Sequence, residues 1–125
     1  MIALVIKIAG QQWQVHKVEA HHPGVMVDGT ARRGACWCGK AEIYISNEVT
    51  GDQVSRVIMH ELAHAYIYIY YTQAIQPESW NEEDVCEMFA IYALEMCVQC
   101  MTVCQALFPE VALRIYREAY KEPKV

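Results

Sequence analysis

Val54-Ser55-Arg56-Val57-Ile58-Met59-His60-Glu61-Leu62-Ala63-His64-Ala65-Tyr66 is the stretch on which the reading of this chain turns. Val54, Ile58, Leu62, Ala65 and Ile69 recur at three- and four-residue intervals, the signature of one apolar helical face. The spacing predicts a helix over 52–71. That helix is apolar almost all round and so belongs at the centre of the fold. His60 and His64 stand at i and i+4 on another face, one turn apart, where both imidazoles can reach one metal ion. Glu61 points about 100° away around the axis, placed to act on a metal-activated water rather than on the metal.

The rest of the chain supplies a sheet first and helices after it. Residues 2–8 and 12–19 read as strands joined by a tight turn at Gly10-Gln11. Val25–Val27 reads as a short third strand, Asp28–Gly34 as loop, and Ala41–Ser46 as a further strand. Ser79 followed by Glu82 fits a capping box for a second helix over 81–107. Pro109 suits the first position of a last helix over 109–121. The expectation is one α+β domain spanning residues 1–125: a small, mainly antiparallel sheet packed on the central helix, with two further helices.

Composition narrows the function classes. The chain has 125 residues, 54% of them hydrophobic, and a formal net charge of -5. No lysine- or arginine-rich block appears, which argues against a nucleic-acid partner. The apolar region from Val85 to Phe108 is interrupted by Glu87, Glu95, Gln99 and Gln105, the pattern of a buried helix rather than a membrane span. No export signal is evident at the N-terminus, so a cytoplasmic location with reduced cysteines is expected.

Two histidines do not complete a catalytic zinc site, which takes three protein ligands and one open position. The acidic start of the second helix, Glu82-Glu83-Asp84, is the nearest source of a third. Glu83 is the expected ligand, with Glu82 its rival. Glu87, one turn further on the same face, is placed to receive the free ring N–H of a ligating histidine. The bland alternative is that these acids only complement the helix dipole. Tyr68 and Tyr71, beyond His64 on roughly its face, are candidate donors to a developing oxyanion, against a plain packing role.

The order I-Y-I strand, connector, H-E-L-x-H-A-Y, then N-E-E-x-x-C-E-x-F-A resembles the small zinc-dependent peptidases of the ImmA/IrrE type, found in bacteriophages and mobile elements. The likeness covers about residues 34–98. It implies a zincin-like fold of the gluzincin kind and one catalytic Zn2+ held by His60, His64 and Glu83. Glu61 would be the general base, and the substrate a peptide or protein, such as a regulatory protein. Glu87 stands where relatives often carry asparagine, and Cys86 where they carry alanine. The resemblance also suggests a peptide adding to a sheet edge, for which Ala41–Ile45 is the nearest strand. The competing reading is a catalytically silent zinc-binding module acting through protein–protein contacts.

The six cysteines divide into Cys36 and Cys38, Cys86, and a face of Cys97, Cys100 and Cys104. Three cysteines on one apolar helix are expected to be buried as small hydrophobes rather than to bind a second metal. His21-His22 before Pro23 reads as a turn, His16 as a strand residue, and the three tryptophans as core or cleft wall.

Overall fold

A computed structural model of the chain describes residues 2–74 and 81–111. Strand β1 (Ile2–Ile8) turns into β2 (Gln11–Val18). The turn residues Ala9 and Gly10 both have positive φ, the left-handed pair that matches the twist of a two-residue hairpin. A second hairpin, β3 (Met26–Val27) with β4 (Thr30–Ala31), closes through Asp28-Gly29, again with positive φ at both residues. Strands β5 (Gly34–Trp37) and β6 (Glu42–Ser46) follow. Two helices come last, α1 (Gln53–Ala74) and α2 (Glu82–Leu107).

The main sheet has the order β1-β2-β6-β5. Both outer pairs are antiparallel, with Ile6 opposite Trp13 and Ala35 opposite Tyr44. The central pair β2–β6 is parallel, with Val15 beside Ile43. The architecture is therefore α+β with a mainly antiparallel sheet, as the order of elements implied. Alternation puts Ile6, Ile8, Trp13, Val15, Ile43 and Ile45 on the face toward the helices, and all are buried. The five residues of the α1 apolar stripe, Val54, Ile58, Leu62, Ala65 and Ile69, are buried against them.

The opposite face of the sheet is covered by a short 3-10 turn at Pro23–Val25. Gly24 lies flat on the Tyr44 ring, where a Cβ would come within 2.2 Å of it. Tyr44 is stacked between His16 and His22, at ring separations of 4.5 and 5.5 Å. His22 caps the turn through Nδ1, accepting from the Gly24 amide at 2.9 Å.

Helix α2 runs back along α1. Tyr92 meets Tyr66 at 5.3 Å between ring centres, and Cys100 Sγ donates to the Ser55 carbonyl at 3.7 Å. It also ties down β1: Gln99 Nε2 donates to the Lys7 carbonyl at 2.7 Å, and the Ala9 amide donates to Glu95 at 3.2 Å. By length and composition α2 could cross a membrane. Here its inner side, including Met88, Met96, Cys100, Val103 and Cys104, packs into the core. Phe89, Ile91, Leu94, Val98 and Met101 face outward.

Several boundaries differ from the sequence expectations. Residues 25–27 divide between the 3-10 turn and β3, and the expected 28–34 loop contains β4. The helix cap is Asn81 with Asp84, each accepting from the other's amide, rather than Ser79 with Glu82. Asparagine is as good an N-cap as serine, and it sits directly against the first turn. Ser79, Trp80 and most of the expected last helix lie outside the described residues; 109–111 are helical.

Candidate functional site

Helix α1 presents His60 and His64 outward, with ring centres 4.8 Å apart and Nε2 atoms separated by 3.2 Å. Two nitrogens bound to one tetrahedral zinc at 2.0–2.1 Å stand about 3.3 Å apart, so this pair has the separation of two ligands on one metal. The same distance also permits an N–H···N hydrogen bond between the rings, with the roles set by the tautomer. Glu61 turns the other way, toward the sheet, and is only 6% exposed. Burial raises the Glu61 carboxyl pKa above its ordinary value, and the proximity of His60 opposes that rise. Burial, then the charge of His60, lowers the pKa of His64.

What brings β5 close to this helix is Gly34. A Cβ there would lie 3.0 Å from both Glu61 Cγ and Val57 Cγ1, and 3.3 Å from the Tyr44 carbonyl oxygen. The missing side chain lets strand and helix approach until Glu61 is walled in. Strand β5 is also an outer strand of the sheet, whereas β6, nearest to α1 in sequence, is paired on both sides. The expectation that Ala41–Ile45 forms the edge is thus corrected. Gly-Ala-Cys-Trp is short and carries no β-branched residue, so it reads weakly as a strand.

Two hollows flank His60 and Glu61 between β5 and α1. One, of about 330 Å³, is lined by Val27, Gly34, Cys36, Trp37 and Cys38 together with His60, Glu61 and His64. Trp37 is fixed there by its Nε1 donating to the Gly24 carbonyl at 2.7 Å. Cys36 and Cys38 bring their sulfurs to 3.5 Å, and Cys38 Sγ lies 3.9 Å from the His64 carbonyl. Burial, then Cys38, pushes the Cys36 thiol pKa well up. The second hollow, of about 370 Å³, runs along the start of α1 and is lined by Arg32, Arg33, Gly34, Gln53, Arg56 and Val57 with His60 and Glu61. Sequence reading passed over these neighbours. Arg56, four residues before His60, was legible from helical spacing alone.

The structure brings His60, Glu61 and His64 together, but not Glu83. Glu82, Glu83 and Glu87 are exposed at the start of α2, where Met88 is the residue that turns inward. Burial, then the carboxylates of Asp84 and Glu87, raises the pKa of the Tyr70 hydroxyl. Among the described residues, no group of three His, Cys, Asp or Glu side chains is arranged to hold a metal. Tyr68 is exposed and Tyr71 half-buried; neither borders the two hollows. Cys100 and Cys104 are buried in the core as expected, while Cys97 and Cys86 are exposed.

No protein-family model, no curated protein and no solved structure matches this chain.

Proposed function

We propose that the chain is a zinc-dependent peptidase of minimal gluzincin type. The observation that carries this reading is the convergence of the His60 and His64 Nε2 atoms at 3.2 Å beside the buried carboxyl of Glu61. His60 and His64 would hold the ion, with Glu83 as the third ligand. Glu83 enters on the motif order, and its first turn of α2 must come up to the histidines for it to serve. Zinc held there would supply Lewis acidity, toward water and toward a peptide carbonyl.

Glu61 does the proton work. Its carboxylate takes a proton from the attacking water and delivers it to the departing amine nitrogen. Burial raises its proton affinity above that of an exposed carboxylate, and the neighbouring His60 opposes the rise. Gly34 leaves room for the Glu61 side chain, which a Cβ would crowd, and Trp37 with β5 walls the groove. An extended peptide can lie along outer strand β5. Tyr68 and Tyr71 stand as candidate oxyanion donors that a closing of the groove would have to recruit.

The substrate class is a protein segment, with a regulatory protein the suggestion of the family likeness, and the location proposed is cytoplasmic. A silent zinc-binding module would need the histidines but would have no use for a buried carboxyl between them. Glu61→Gln therefore separates the two readings. Bound zinc should stay at the wild-type level while cleavage of a peptide library falls by about 100-fold or more. Wild-type turnover in that variant would remove Glu61 as the base. Zinc binding without cleavage by the wild-type protein would favour the silent module.

A further inference from the structure

The two hollows on either side of His60 and Glu61 differ in character, and the difference concerns what the groove selects. Three of the chain's five arginines, Arg32, Arg33 and Arg56, line one of them. Among the residues lining that hollow, Glu61 is the only acid, and it is buried toward the sheet. The concentration is against the trend of the chain, whose formal net charge is -5. Three exposed arginines bordering one hollow give it a local positive charge that favours an anion. Arg33 is partly engaged, donating from Nη1 to Gln53 Oε1 at 3.0 Å. Arg32 and Arg33 also border a neighbouring depression that contains Glu48. Arg56, one turn before His60, borders the arginine hollow without bordering that depression.

We propose that this hollow is a specificity subsite for an acidic side chain of the substrate. The inference rests on the peptidase reading and names its substrate class: a segment with Asp or Glu on one side of the cleaved bond. On the other side, Val27, Trp37 and the two thiols offer an apolar and aromatic wall that suits a hydrophobic residue. Arg32 and Gly34 border both hollows, so a chain with its reacting carbonyl at His60 and Glu61 spans them in sequence. Guanidiniums recognise a carboxylate through paired N–H donors, and such contacts are stronger than neutral hydrogen bonds. Arg32 and Arg56 would supply them, while Gln53 holds Arg33 beside them.

The test uses the full chain loaded with zinc and three matched sets of fluorogenic peptides, bearing Glu, Gln or Lys on either side of a central apolar pair. The expected result is a kcat/KM about tenfold or more higher for Glu than for Gln on one side only, shrinking as salt is raised. Arg56→Gln should reduce that preference and Arg56→Glu should turn it toward Lys, while Arg56→Lys keeps most of it. Binding of the same peptides to Glu61→Gln, followed by fluorescence anisotropy, should show the same order without turnover. Equal cleavage and equal binding of all three sets would overturn the subsite and leave the peptidase reading standing. No cleavage and no binding of any set would overturn both.

Discussion

Gly34→Ala probes how closely β5 and α1 must approach. The added methyl would meet Glu61 Cγ and Val57 Cγ1 at 3.0 Å and the Tyr44 carbonyl oxygen at 3.3 Å. Carbon atoms pack best at about 3.5–4.0 Å, so the two side-chain carbons have to yield by roughly 0.5 Å and the carbonyl oxygen by less. Val57 and Glu61 are on one helix and Tyr44 contributes backbone, so no single rotamer change relieves all three contacts. Overpacking of this kind costs about 1–3 kcal/mol. Alanine returns about 0.5–1 kcal/mol, because glycine loses more freedom in a strand. The net loss is then about 1 kcal/mol, or roughly 4 °C in Tm for a domain of this size. Gly39→Ala is the matched control, since a Cβ there has nothing within 4 Å. It should fall within about 0.5 kcal/mol of wild type. Thermal and urea unfolding of the two variants, with zinc content and peptide cleavage on the same samples, make the assay. Gly34→Ala should lose stability and cleavage rate while keeping its metal, because the methyl strikes Glu61 and not the histidines. If Gly34→Ala matches Gly39→Ala in both stability and cleavage, the close approach does not position Glu61.

Three further outcomes are expected. Leu62→Ala removes a side chain only 1% exposed between α1 and the sheet and should cost about 2–5 kcal/mol in urea unfolding; a loss under 1 kcal/mol would displace Leu62 from the core. Asn81→Ala removes the Oδ1 acceptor of the Asp84 amide at the start of α2, leaving the backbone bond from residue 81 to Asp84, and should cost about 0.5–2 kcal/mol, whereas an unchanged urea midpoint would mean that the side-chain cap contributes nothing. In metal-free protein the raised pKa of Glu61 makes the folded state hold a proton that the unfolded state gives up. The associated stability is present below the ordinary value of 4.5 and is lost as pH rises through the folded value. The stability of Glu61→Gln relative to wild type should therefore grow as pH rises above 4.5, and a gap that stays constant with pH would contradict a raised carboxyl.

The sequence carried the parts of this fold that depend on local periodicity. Val54 to Ile69 announced the buried face of α1, and alternation through Trp13, Val15, Ile43 and Ile45 announced the sheet face beneath it. The small second hairpin was missed: residues 28–34 read as loop although Asp28-Gly29 is a two-residue turn signal, because strands of two residues are too short to show alternation. Strand β5 was not legible. Its four residues become a strand by pairing with β6, and that pairing needs Gly34 to admit the helix. The histidine pair followed from i, i+4 spacing on a helix. The position of Glu83 did not, since it depends on how α2 lies across α1, which the Tyr66–Tyr92 and Cys100–Ser55 contacts decide. Arg32 and Arg33 likewise join Arg56 only once β5 is laid beside α1.

Metal content decides whether His60 and His64 form a metal centre. The untagged protein would be purified, exposed to zinc, dialysed and analysed by elemental mass spectrometry, alongside His60→Ala and His64→Ala. The expected result is one zinc per wild-type chain, lost in both variants while their far-UV circular dichroism stays that of the wild type. A folded wild-type protein that retains no zinc, or variants that retain as much as wild type, would contradict a metal centre at His60 and His64.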